Sequence, residues 1–210
     1  MIPLLTLIIP AYNEVNNIER VLDVVVKMPD FQQIVVVDDG SFDGTYDKIR
    51  SYPVESIRFE QNRGKGAAIW AGVQQARHPY VMLLDADLIG LREVHLRSLI
   101  EPVVYGDAAM SLGLFGTGRL ATDWAQRVAP ALTGQRVLRR EVLTSLPLIE
   151  SARYGVEVAL NRHVRQSGLK VAAVELDRLT HQMKEEKLGL LSGFKARMRM
   201  YWDIMRVLIR

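Results

Sequence analysis

The chain has 210 residues, 49% of them hydrophobic, enough for one well-buried domain and too apolar for a disordered one. It contains no cysteine, which excludes structural disulfides and thiolate metal sites and permits a cytoplasmic home. The net charge of +3 is uneven: Lys195, Arg197, Arg199, Arg206 and Arg210 against Asp203 put +4 on Leu188–Arg210 and leave −1 on residues 1–187, which disfavours a nucleic-acid face spread over the domain and points to a local anionic partner of the tail.

The chain opens on an apolar run that Pro10 ends early, with no basic segment before it. That pattern reads as neither a signal peptide nor a membrane span. Leu4–Ile9, Ile34–Val37, Ser56–Phe59 and Tyr80–Leu84 are short Val-, Ile- and Leu-rich runs bounded by turn residues, which predicts strands. Val15–Lys27, Tyr46–Ser51 and Lys65–Arg77 between them predict helices. This β-α-β-α order implies a mostly parallel sheet with helices on both faces, a three-layer α/β sandwich. Further on, Arg92–Tyr105 predicts a helix, Ala108–Leu112 a strand and residues 114–119 a mobile loop. Val137–Ser145 and Val156–Gln166 predict helices, Lys170–Leu176 a strand, and Lys187–Arg210 a long amphipathic segment. Without repeats or linker-like stretches, this amounts to one domain over 1–187 and a tail over 188–210.

Parallel α/β sheets bind ligands at the carboxyl ends of their strands, near the point where strand order reverses. Three polar clusters fall at such ends: Tyr12-Asn13-Glu14, Asp38-Asp39-Gly40-Ser41 and Asp85-Ala86-Asp87. Alternate residues of a strand share a face, so Asp85 and Asp87 can reach one hard cation together, magnesium or manganese. An isolated pair of this kind also serves to cap a turn or a helix. The Asp38–Ser41 turn equally reads as a solvated strand-to-helix loop, with Asp43 capping the helix that follows. Asn62-Arg63-Gly64-Lys65-Gly66 precedes a helix, where glycines, basic side chains and the helix N-terminus favour a phosphate. The spacings of a Walker loop and of a dinucleotide-binding G-x-G-x-x-G turn are absent.

In order and spacing, residues 8–14, 34–45, 62–68 and 84–88 resemble the family 2 glycosyltransferases with the A-type fold. The resemblance implies transfer of a hexose from a nucleoside-diphosphate sugar, with residues 1–90 as the nucleotide half and 91–187 as the acceptor half. It places Pro10, Ala11, Tyr12 and Glu14 around base and ribose, Asp39 at the base edge and Lys65 near the nucleotide. Asp85 and Ala86 follow on the sugar nucleotide, and Asp87 joins Asp85 on Mg2+ or Mn2+. Residues 132–143 and 154–160 are similar to the donor-closing segment and the acceptor-side helix of polyprenyl-phosphate sugar synthases and phosphoglycerate-sugar synthases. His181 sits where such enzymes place a late histidine metal ligand; by itself it reads equally as a surface histidine. Glu157 is a candidate catalytic group, or else a satisfied helix carboxylate.

The acidic pair that ends in a general base in many members is incomplete, because Val158 follows Glu157. A hydroxyl acceptor needs a base near its proton, whereas a phosphate is already an anion. Either Glu157 is the sole base or the acceptor is a phosphate, held by arginines such as Arg119, Arg136 and Arg139. Tyr12 stacking and the Asp39 carboxylate favour uridine over guanosine in the donor. The acceptor expected first is a polyprenyl phosphate or another lipid, and second a small soluble phosphorylated molecule. Phe194, Met198, Tyr201, Met205 and Leu208 recur at helical spacing among the basic tail residues, the composition of an interfacial helix on an anionic membrane. Such a protein is cytoplasmic and peripheral on the inner face of the membrane. The same stripe also suits packing on the protein's own sheet or a homodimer contact. A non-catalytic nucleotide-sugar-binding subunit is a further alternative; a receiver-type signalling module is disfavoured by the chain's length.

Overall fold

The computed structural model describes residues 4–115, 133–146 and 156–181. Its elements in chain order are β1 (Leu5–Ala11), α1 (Ile18–Val25), β2 (Gln33–Asp38), α2 (Thr45–Arg50), β3 (Glu55–Arg58), α3 (Lys65–Gln75), β4 (Tyr80–Leu83) and β5 (Leu88–Ile89). There follow α4 (Glu93–Val104), β6 (Met110–Phe115), β7 (Arg136–Arg139), α5 (Arg140–Thr144), α6 (Val156–Gln166), β8 (Val171–Leu176) and β9 (Thr180–His181). Among the described residues, seven strands form one sheet in the order β3-β2-β1-β4-β7-β6-β8, and β5 pairs with β9 in a separate ladder.

The sheet is parallel except for β7, which runs antiparallel to both β4 and β6. The alternation of β1 shows how the layers form. Leu5, Leu7 and Ile9 pack with α1, α4 and Ile49 of α2 on one face. Ile8 points the other way, into a cluster with α3, α5 and α6. A sheet covered on both faces needs strands apolar throughout, which is why residues 34–37 read as an unbroken Ile-Val-Val-Val run.

The segment Val137–Ser145 corrects the helical expectation. Its first part is β7, and the helix begins only at Arg140. Val137 and Leu138 are fully buried on opposite faces of the sheet, and the strand is bonded on both edges, so tertiary burial overrides the helical period of the sequence. Leu114 and Phe115 end β6 rather than opening a loop. Among the described residues, no helix is long and apolar enough to cross a membrane. Arg119 and the tail 188–210 lie outside the described residues.

Candidate active site

The carboxyl ends of β1, β2 and β4 lie on one edge of the sheet, and strand order reverses about β1, with β2 on one side and β4 on the other. The loop after β1 is sewn to the loop after β2 through Asn13, whose backbone is left-handed at φ 54°. Its N–H donates to Ser41 Oγ at 2.9 Å, and its Oδ1 accepts from the Phe42 N–H at 3.2 Å. The Glu14 N–H donates to Thr45 Oγ1 at 2.7 Å, and its carboxylate accepts from Asn17 Nδ2 at the start of α1. Pro10 and Ala11 are the last residues of β1, and the Ala11 carbonyl accepts from the Asp39 N–H at 2.8 Å. The Tyr12 ring is 42% exposed and meets Phe42 edge-on, with ring centroids 6.4 Å apart.

The acidic run after β2 divides its labour. Asp38 is fully buried; its Oδ1 accepts from the Ser41 N–H at 3.2 Å, and its Oδ2 lies 3.4 Å from Arg58 Nε. Asp43 accepts from the N–H groups of Thr45 and Val15. Burial would raise its pKa, but these donors and the Thr45 hydroxyl together hold it below the ordinary carboxylate value. Asp39 is nearly buried and accepts from Arg63 N–H at 2.7 Å, Gly64 N–H at 2.9 Å and Asn62 Nδ2 at 2.9 Å. It therefore fixes the loop that leads into Lys65. Gly40 makes this approach possible: at φ 76°, a Cβ there would come within 2.5 Å of the Gln61 carbonyl carbon.

Asp85 and Asp87 follow β4, both half-buried, with Ala86 buried between them. Lys65, at the first turn of α3, brings its Nζ within 2.7 Å of Asp85 Oδ1 and 2.5 Å of Glu157 Oε1. Glu157, in the first turn of α6, is almost fully buried. Burial weakens the Lys65 ammonium, but the two carboxylates outweigh it and hold its pKa above the ordinary lysine range. On its other oxygen, Asp85 accepts from Gln135 Nε2 at 2.8 Å, and Gln135 Oε1 accepts in turn from the Thr133 hydroxyl at 2.8 Å. Gly134 lies against the same carboxylate so closely that a Cβ would fall 2.3 Å from Asp85 Oδ2. The β5–β9 ladder pairs Leu88 with His181, so the backbone at 181 lies beside the residue that follows Asp87. Among the described residues, no group of three or more His, Asp and Glu side chains could hold a metal ion alone.

The arginines expected at the acceptor separate. Arg136 is fully buried. Its Nε donates to the Thr133 carbonyl at 2.9 Å, and its Nη1 donates to Asn161 Oδ1. It therefore lies behind the site rather than open to an acceptor. Burial pushes its pKa down to about 10, with Glu157 and Asp85 acting in the opposite direction. Arg139 sits at the wrong end of the strand. Because β7 is antiparallel, Arg136 pairs with Leu83 near the carboxylates while Arg139 pairs with Tyr80 at the opposite edge. There it lines a separate cavity of about 590 Å³ with His163 and Lys170. Sequence reasoning does not single out Gln135, Gly134 or Asn13 individually. The signal available is a Thr-Gly-Gln-Arg run directly before an apolar Val-Leu pair, which places polar side chains and a gap at a sheet edge.

The sequence profile described as Glycosyl transferase family 2 matches residues 6–166. The chain belongs to that family. A dolichyl-phosphate beta-glucosyltransferase of Dictyostelium discoideum is 32% identical over 126 residues, covering 52% of this chain and 38% of that protein. Glucosyl-3-phosphoglycerate synthase of Mycobacterium tuberculosis is 26% identical over 193 residues, covering 74% of this chain and 59% of its own length. The chain thus spans less than two thirds of the length of these curated relatives. Among solved structures, the M. tuberculosis synthase in complex with Mn2+, uridine-diphosphate-glucose and phosphoglyceric acid aligns over 96% of this chain and 78% of that one, with a TM-score of 0.72 at 23% identity. At that identity the likeness establishes the shared fold.

Proposed function

We propose that this chain is a glycosyltransferase that moves a hexose from a uridine-diphosphate sugar to a phosphate-bearing acceptor with the help of Mg2+ or Mn2+. The observation that carries this reading is the convergence of Lys65, Asp85, Asp87 and Glu157 at the point where strand order reverses. The donor set fits such a cation: two half-exposed carboxylates spaced i, i+2 are oxygen ligands, and magnesium is commonly held by one or two carboxylates plus substrate phosphates rather than by an all-protein cage. Asp87 and Asp85 would hold it, with His181, whose side chain lies outside the described part of the structure, as a third ligand. When bound, the cation neutralises charge on the diphosphate leaving group. Mn2+ or Mg2+ with uridine diphosphate is bound by the solved M. tuberculosis synthase.

In this reading Tyr12 offers a stacking face for the base, and Pro10, Ala11, Glu14 and Ala86 line the nucleotide. Asp39 keeps the 62–64 loop in place, so that Lys65 enters the site as a permanent ammonium beside the diphosphate. Glu157 is already bound at 2.5 Å to that ammonium, which suits it poorly to take a hydroxyl proton and suits it well to position Lys65. A phosphate acceptor needs no base. Both named relatives carry a phosphate compound in their names. A polyprenyl phosphate ranks before a soluble phosphorylated acid because of the +4 tail, since each basic residue near an anionic leaflet contributes about 1 kcal/mol.

The test is thermal stability with UDP or GDP, with and without Mn2+, followed by transfer from UDP-glucose to polyprenyl phosphate and to 3-phosphoglycerate. Saturating UDP with Mn2+ should stabilise the fold by about 2.7 kcal/mol at 100 times the dissociation constant, and chelation should abolish the gain. No stabilisation by UDP with Mn2+ would overturn the reading. Tighter binding of GDP would reverse the base assignment, and binding without turnover on either acceptor would make the chain a nucleotide-sugar-binding subunit.

A further inference from the structure

Beyond the residues that face the substrates, the interior behind the site contains a charge that burial alone does not account for. Arg136 is the largest fully buried side chain among the described residues. A guanidinium stripped of water is costly unless its donors are engaged. Here Nε donates to the Thr133 carbonyl, Nη1 to Asn161 Oδ1, and the same nitrogen lies 3.7 Å from Met110 Sδ, while Nη2 is buried without a hydrogen-bond partner. Met or Leu would fill this space without that cost, so the charge answers to something other than packing.

Each arm of Arg136 ends on a segment that holds one of the two carboxylates gripping Lys65. The Thr133 carbonyl belongs to the loop whose Gln135 binds Asp85 at 2.8 Å and whose Gly134 presses against the same carboxylate. Asn161 lies four residues after Glu157 on α6, one turn along the same helix face. The contacts therefore close into a ring: Lys65 to Asp85, Asp85 to Gln135 and its loop, the loop to Arg136, Arg136 to Asn161, and along one helical turn to Glu157 and back to Lys65.

We propose that Arg136 is a positioning residue: a buried strut that sets the spacing between the donor-side carboxylate Asp85 and the acceptor-side carboxylate Glu157, and so the location of Lys65 between them. It touches neither substrate. The inference rests on the proposed sugar-nucleotide site for its functional readout, and on the ring alone for its structural one.

A double-mutant cycle tests it. Native protein, Arg136→Met, Gln135→Leu and the double variant are titrated with UDP and Mn2+ by calorimetry, after circular dichroism confirms folding. Because Arg136 acts on the nucleotide through the Gln135 loop, each single change should weaken UDP binding by about tenfold, and the double variant should be no weaker than the poorer single one. Arg136→Lys, which keeps the charge and loses the fork, should recover only part of the loss. Losses that multiply in the double variant would overturn the strut, and so would unchanged UDP affinity in folded Arg136→Met. A raised acceptor KM with native UDP affinity would return Arg136 to direct acceptor binding.

If Arg136→Met does not fold, Asn161→Ala removes one arm of the strut and takes its place in the cycle. Amide hydrogen exchange keeps the two proposals apart, because it needs no ligand. In the Arg136 or Asn161 variant, residues 133–136 and 156–161 should exchange faster together, while β2 and α1 stay native. If native protein fails to bind UDP but this joint loosening appears, the functional reading falls and the strut stands; if the loosening is absent or spreads over the whole sheet, the strut falls.

Discussion

The described residues before and after position 91, which we propose as donor and acceptor halves, are built on different scales. On the donor side, four parallel strands alternate with helices, and the bonds that shape the loops span a turn or two of this repeat: Asn13 to Ser41 across 28 residues and Asp39 to Gly64 across 25. On the acceptor side, β7 enters the sheet against the grain, and the bonds that matter are long. Gln135 reaches Asp85 across 50 residues, and Lys65 reaches Glu157 across 92. A binding edge assembled from local repeats is robust, because each unit orders its own loop. One assembled from distant segments is a place where specificity can change without disturbing the sheet.

The strongest way to probe this division is at the chemistry on the donor edge. Asp87→Asn keeps shape and removes a charge from the cation side, so turnover of UDP-glucose should fall by about 100-fold to 1,000-fold, while the circular dichroism spectrum stays native. Full turnover in the variant, or in native protein with excess chelator, would detach the pair from catalysis.

A smaller effect belongs to the seam. Gly134→Ala inserts a methyl group where Asp85 now lies, 2.3 Å from its oxygen. Relief requires the carboxylate or the loop to move, at a stability cost of about 1–3 kcal/mol. For a chain of this size that lowers Tm by about 2–4 °C per kcal/mol, and binding of UDP with Mn2+ should weaken alongside. A calorimetric scan showing native Tm and native affinity would mean that the acceptor loop does not constrain the donor carboxylate.

The smallest effect lies on the acceptor side, away from the chemistry. His95, nearly buried at the start of α4, accepts from the Arg92 N–H on Nδ1. Burial first, and then the neighbouring Arg92 charge, press its pKa below the ordinary 6.5. The neutral ring is thus preferred in the fold. Its stability contribution is complete above pH 6.5 and is lost as pH falls below that value toward the folded pKa, because the unfolded chain takes up the proton first. The drop in Tm between pH 6.5 and 5 should be shallower in His95→Gln than in native protein. An identical pH slope in both would place the titration elsewhere.

What the sequence determined by itself is the part of the molecule whose signals are local. Unbroken Val and Ile runs specify doubly covered strands, and polar clusters directly after them gather at one edge, because a parallel sheet puts every carboxyl end on one side. Tyr12, Asp39, Asp85 and Asp87 lie together at that edge for that reason. The tertiary structure alone decided four other things. Val137 and Leu138 became a strand because two strands lay ready on either side. The two-residue strands β5 and β9 are too short for any period to announce, and only their pairing brings position 181 beside the residue after Asp87. Arg139 went to the far edge because β7 runs backwards. Arg136 became an interior charge, since helical or strand spacing says which face a residue shares but not whether another layer will close over it.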